Sequence, residues 1–276
     1  MTLSLALRQP IASLFVIAFS LTILSATMLA AKSHATVVEV RTVVGDFQVN
    51  LFDEATPQTV ANFLDYVNSG AYANNTVHRS SAGFVIQMGG FQYNNSFPPD
   101  PIATGLPVNN EPVFSNLRGT LSMAKFGGNP NSATSQFFVN LSNNASNLDA
   151  QNGGFSVFGQ VIGDGMDVVD QIAALGRFNF GGTFNEVPLR NYSATDASNA
   201  VIPNDTQLVI ITDIVVIDAA VVTNPNLNPA RNTLINNPPR SPSLPSSGGA
   251  LHILILLVFG SVACLRVMKL RISINR

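Results

Sequence analysis

At 276 residues, 46% of them hydrophobic, the chain is long enough to bury a sizeable core. A net charge of −2, with the 14 Lys and Arg dispersed except at the very end, excludes a nucleic-acid footprint. The single cysteine, Cys264, lies in a C-terminal apolar run, which excludes a disulfide scaffold and leaves the core to hold the fold alone.

Residues 1–35 open on a short polar stretch with Arg8, continue in an apolar run from Ile11 to Ala31 and end on Ser33-His34-Ala35, a small-x-small site. This pattern predicts a secretory signal cleaved after Ala35. An uncleaved anchor helix is the alternative, since the run nearly suffices to span a bilayer. Val37 to Val44 and Phe47 to Phe52 are β-rich runs joined by Gly45-Asp46, a first hairpin. Thr56 as N-cap and Pro57 at the first helical position then open a helix. Val60, Phe63, Leu64 and Val67 give it one apolar face, and Gly70 stops it.

Val77 to Ser80 and Phe84 to Met88 are strand-like runs around a tight Ser81-Ala82-Gly83 connection, a second hairpin. Alternation predicts Val77 and Arg79 on one face, with His78 and Ser80 on the other. Phe91 to Phe114 is rich in Asn, Pro and Gly and reads as a long surface loop. Strands are expected at Gly119 to Ala124, Gln136 to Leu141 and Ser156 to Val161, and a second helix from about Met166 to Leu175. Arg177 to Asp205 is another polar stretch, and Gln207 to Ile217 is the strongest strand signal. Short strands, two helices and no βαβ alternation predict a mainly β domain over 36–218, an antiparallel sheet closed into a barrel.

Residues 219–249 shift to Asn, Pro and Ser and read as an extended linker. In 250–276, an apolar run from Ala250 to Leu265 precedes Arg266, Lys269, Arg271 and Arg276. Basic residues beyond an apolar run suit a stop-transfer anchor. Ser247-Gly248-Gly249 before the run also resembles bacterial sorting signals of the Gly-Gly type, so a processed tail is the alternative. Membrane contact is therefore expected through this segment.

The chemistry concentrates in the second hairpin. Arg79 beside Phe84 and Gln87 sets a guanidinium with five N–H donors over an apolar wall with an amide next to it, which suits a neutral peptide carbonyl better than a phosphate. His78 is the only histidine in 36–218 and should face away from Arg79, so a Ser-His-Asp triad has no base and a zinc site no partners.

Val77 to Gly90 (VHRSSAGFVIQMGG) resembles the cyclophilin pattern of a Phe-His-Arg strand, a short turn and a Gly-Phe-aliphatic-aliphatic-Gln-Gly-Gly strand. Gly119 to Ala124 (GTLSMA), Ser135 to Val139 (SQFFV), Phe155 to Gly159 (FSVFG) and Gly165 to Val169 (GMDVV) follow in the family's order. No block is specific alone; five in order are. The resemblance implies a closed eight-stranded antiparallel barrel capped by two α-helices, with the ligand in an outer groove. It implies a cofactor-free, metal-free peptidyl-prolyl cis-trans isomerase, a monomer, acting on proline-containing polypeptides such as unfolded exported proteins. A module that binds such segments without turnover is the alternative.

Carried over residue by residue, Arg79 is the donor to the prolyl nitrogen. Phe84, Val85, Phe138, Leu148 and Phe155 line the proline pocket, Gln87 and Gln136 orient the substrate backbone, and the Ala124-Lys125 backbone carries the neighbouring residue. The chain departs from the pattern at Val77, where Phe is usual, and at Met88, which replaces the first Gly. It departs again at Asn147, where many members place Trp, and at Phe155, often His or Tyr. The missing indole predicts weak cyclosporin binding.

Overall fold

The computed structural model describes residues 36–219 and 226–236. The expected signal in 1–35 and the apolar tail in 250–276 lie outside the described residues. Among the described residues no helix is long and apolar enough to cross a membrane.

In chain order the elements are β1 (Val37–Thr42), β2 (Phe47–Leu51), α1 (Pro57–Asn68), β3 (Asn75–Thr76), β4 (Arg79–Ser81), β5 (Val85–Met88), β6 (Phe91–Gln92) and β7 (Asp100–Pro101). There follow β8 (Thr120–Met123), β9 (Phe137–Asn140), α2 (Ala145–Leu148), β10 (Val157–Ile162), α3 (Gly165–Ala173), β11 (Gly176–Phe178), β12 (Val187–Leu189), α4 (Ala194–Ser198) and β13 (Ile210–Asp218). The main sheet has 11 strands in the order β4-β5-β9-β8-β10-β2-β1-β13-β3-β6-β7, and β11 and β12 form a separate pair.

This hydrogen-bonded order is open, where a closed ring of eight was expected. Two things change the count. The stretch read as a loop after Phe91 supplies the short strands β6 and β7, which pair with each other. The run from Asn75 to Ser81 is broken at Val77-His78, so β3 pairs with β13 while β4 pairs with β5. The break also ends the alternation expected along this run. Val77 is buried in the main core instead of sharing a face with Arg79.

The core explains why these residues form these elements. Val38, Val40, Val49, Leu121, Val139 and Ile211 are fully or almost fully buried, one face of each strand. α1 lays Val60, Phe63 and Val67 against them, and α3 adds Val169 and Ile172. Phe63 meets Tyr72, Phe137 and Phe158 at ring-centroid distances of 5.1–5.5 Å, the aromatic centre of this packing. Thr56 occupies the N-cap of α1, but its side chain makes no cap. The Glu111 carboxylate does that from a distant loop, accepting from the N–H groups of Gln58 and Thr59 and from the Thr59 hydroxyl.

Among the described residues there are four α-helices, two more than expected, because α2 and α4 are short. α4 lies within the stretch read as polar loop, started by a capping box between Ser193 and Asp196. Part of the expected linker is not free either. Residues 226–236 lie along the domain, with Ser115 N–H donating to Ala230 O at 2.9 Å and Asn232 N–H to Val113 O at 2.9 Å. Leu227 packs on a cluster of Phe52, Phe114 and Val157, and the Arg231 guanidinium sits 5.2 Å from the centre of the Phe114 ring.

Candidate active site

Register builds the site. Arg79 on β4 stands opposite Gln87 on β5, and Gln87 opposite Phe138 on β9. Cross-strand partners project to the same side, so these three form one row on the outer face of the sheet. Their neighbours Ile86, Phe137 and Val139 point into the core. Of the Phe137-Phe138 pair, then, Phe138 is the one on the groove.

Val85, Ala124, Phe138, Leu148 and Phe155 form a buried cluster with Phe84 packed on it. Phe138 and Phe155 meet edge to face at 5.8 Å. A small open pocket is lined by Arg79, Phe84, Val85, Gln87, Phe138, Leu148 and Phe155. Sequentially remote residues are thus brought to one cup with one cation at its edge. A larger cavity of about 300 Å³, between Phe97, Phe178, Phe180, Tyr192 and Ile202, has no Arg, Lys, His or carboxylate in its lining. The directed donor is at the smaller one.

The Arg79 side chain is 17% exposed. Its Nε donates to Glu186 Oε2 at 3.1 Å, while the backbone of Glu186 accepts from Ser80 N–H at 2.8 Å. The two terminal nitrogens make no hydrogen bond to a described residue. Gln87 Nε2 donates to Gln136 Oε1 at 2.8 Å, which ties the two expected backbone-orienting amides to each other. Ala124 N–H is committed to Gln136 O.

Lys125 differs from the expectation that only its backbone matters. Its side chain is buried, 4.7 Å over the Phe155 ring, and Nζ donates to the carbonyls of Asn152 and Gly154. Burial pushes this amine down to about 8. His78 is buried, edge-on to Phe91 and Phe184. Burial, helped by the neighbouring Arg79 charge, pushes its imidazole down to about 3, so it is neutral and out of the groove.

Two residues at the site were not anticipated. Glu186 lies in the polar stretch after Arg177, where nothing in its spacing marks it as a partner for Arg79. Asn232 lies in the expected linker. Its Nδ2 donates to Asp149 O, one residue past Leu148.

Residues 37–196 match the family model described as cyclophilin type peptidyl-prolyl cis-trans isomerase/CLD. The chain belongs to the cyclophilin family. A peptidyl-prolyl cis-trans isomerase of Acinetobacter baylyi is 39% identical to it over 163 residues, 58% of this chain and 84% of the relative. Isomerase A of Dickeya dadantii is 40% identical over 179 residues, 63% and 90% of the two chains. Isomerase B of Escherichia coli is 43% identical over 152 residues, 52% and 87%. This cyclophilin is accordingly a peptidyl-prolyl cis-trans isomerase with a mainly β fold and few helices.

Proposed function

We propose that this cyclophilin acts through Arg79, which donates from a terminal nitrogen to the prolyl imide nitrogen as that nitrogen becomes pyramidal. The observation that carries the reading is the Arg79 side chain, held by its Nε and free at its other nitrogens, at the edge of an apolar cup. Rotation about the peptide bond is slow, with a barrier of roughly 18–20 kcal/mol, because the nitrogen lone pair is shared with the carbonyl. A donor that withdraws the lone pair stabilises only the twisted state, so it lowers the barrier instead of tightening substrate binding.

Phe84, Val85, Phe138, Leu148 and Phe155 hold the proline ring in this reading. Gln87 and Gln136 set the flanking peptide, with the Ala124-Lys125 backbone beside the preceding residue. Moving from tens of seconds to about a millisecond takes roughly 5–6 kcal/mol, a size suited to one preorganised cationic donor together with positioning. Closure of the curled sheet into an eight-stranded barrel belongs to the same proposal, and the two-residue link Val77-His78 between β3 and β4 supports it.

The clients we propose are exported proteins with exposed prolines, met by a monomer outside the cytoplasm and tethered through 250–276 or processed near Gly249. The sequence patterns of 1–35 and 250–276 support that part. The test is a protease-coupled assay on a proline-containing peptide with the purified protein. Arg79→Ala should lower kcat/KM about a hundredfold or more, and a loss below about threefold would defeat the donor role. Mass spectrometry of both mature termini from fractionated cells tests the location. An unprocessed chain in the cytoplasmic fraction would defeat it.

A further inference from the structure

The residues that line the proline pocket all lie where the family model matches, but one that holds its wall does not. Leu148 and Phe155 are joined by a six-residue loop with a 3-10 turn over Gln151–Gly153, and Phe155 N–H closes it by donating back to Leu148 O at 2.9 Å. Whatever fixes this loop fixes two walls of the cup.

The loop is gripped from three sides, one of them Asn110, whose Nδ2 donates to Gly153 O at 2.7 Å and to Gly154 O at 2.8 Å. On the second side Lys125 Nζ binds the carbonyls of Asn152 and Gly154. On the third, Asn232 Nδ2 donates to Asp149 O at 2.8 Å, a buried bond. The grip is tight. A Cβ on Gly154, whose φ is +71°, would lie 2.6 Å from Asp149 O, 2.9 Å from Pro112 Cβ and 3.3 Å from Asn232 Nδ2. The Asp149 side chain extends the grip inward, since Oδ1 accepts from Asn116 N–H at 2.8 Å and from Asn116 Nδ2 at 2.9 Å.

Asn232 is itself held in place. Its backbone N–H donates to Val113 O, its Oδ1 accepts from Leu234 and Ile235 N–H at 3.0 and 3.1 Å, and its residue is 9% exposed. A side chain with all its polar atoms assigned and one of them on the pocket loop is a built feature. It lies 36 residues beyond the end of the family match at 196, counting from 196 to 232.

We infer that residues 226–236 belong to the active-site scaffold and that Asn232 is a positioning residue for the pocket wall formed by Leu148 and Phe155. The inference rests on the reading of that cup as the proline site. Without the Asn232 amide, Asp149 O is left buried and unpaired, and a shift of Asp149 passes to its chain neighbour Leu148 and, through the Leu148 carbonyl, to Phe155. The wall holds the proline ring alike in the ground and twisted states, so its displacement raises KM and leaves kcat in place.

The test is steady-state kinetics of the full chain over a range of proline-peptide concentrations. Asn232→Ala should raise KM about tenfold while kcat stays within about twofold. A mere loss of folded protein does the reverse, lowering kcat at unchanged KM, and that result or wild-type constants would overturn the inference. Ser115→Ala, which removes only the bond from Ser115 Oγ to Arg231 O on the same segment, should leave both constants unchanged. Phe155→Ala separates the two levels. If it keeps the wild-type KM the cup is not the proline site, whereas if it raises KM and Asn232→Ala does not, the role of Asn232 alone fails. Should Asn232→Ala not fold, Asn232→Asp keeps the acceptor for Leu234 and Ile235 and is read by the same split of constants.

Discussion

Glu186 offers the sharpest test of how Arg79 is prepared for the donor role proposed for it. At 3.1 Å and an effective dielectric near 20, the pair attracts by roughly 5 kcal/mol before desolvation. The side chains are 17% and 34% exposed, so the net contribution to folding should be only about 1 kcal/mol. If Arg79 is the donor, the larger effect falls on catalysis. A free Arg side chain carries about 2 kcal/mol of rotamer entropy, and fixing Nε beforehand removes much of that cost from the reaction, about 1.4 kcal/mol or tenfold in rate. Glu186→Ala should therefore lower kcat/KM about tenfold with a melting point a few degrees lower at most. Glu186→Gln, which keeps an acceptor for Nε, should lose about threefold or less. The discriminating measurement is the double variant by exchange NMR and by the protease-coupled assay. If Glu186 works only through Arg79, removing it in an Arg79→Ala background costs nothing further. An equal tenfold loss in that background, or full activity in Glu186→Ala, would refute the reasoning.

Lys125 predicts a pH dependence of stability. Its amine titrates at about 8 in the folded protein against 10.5 when exposed, so between those values the unfolded chain binds the extra proton and stability should rise with pH. Melting curves of wild type and Lys125→Met from pH 7 to 10 check this, and parallel curves would rule it out. Gly90→Ala places a Cβ 2.6 Å from Gln136 Cδ, which should push that side chain off Gln87 and raise KM about three- to tenfold; unchanged kinetics would show that the Gln87–Gln136 pair is dispensable. Asn147 is exposed on α2 beside Leu148, and Asn147→Trp should tighten cyclosporin inhibition at least about tenfold by restoring an indole face and donor. Equal inhibition of both proteins would mean that position 147 does not border the groove.

The row of Arg79, Gln87 and Phe138 was legible in the sequence through the family resemblance, whereas the alternation read directly along Val77 to Ser80 fails at the Val77-His78 break. Once Arg79, Gln87 and Phe138 are each placed on a strand, antiparallel register alone brings them into one row. The rim was not legible, because its residues come from segments with no periodicity. Glu186 is 107 positions from Arg79, and Asn232 is 83 from Asp149. Glu111 takes over the helix cap expected of Thr56 from 52 positions beyond Thr59. The linker reading failed at 226–236 for the same reason. Its Asn- and Pro-rich composition lacks the apolar content that marks a packed element, yet Leu227 and Asn232, together with backbone hydrogen bonds from Ser115 and Asn232, are enough to seat it. A segment seated by so few side chains stabilises the fold little but can still fix a neighbour's position, since a buried amide specifies a geometry whose energetic contribution is small. The other places where local reading fails here are therefore those where distant chain meets the pocket, and it is the kinetics, more than the melting point, that should reveal them.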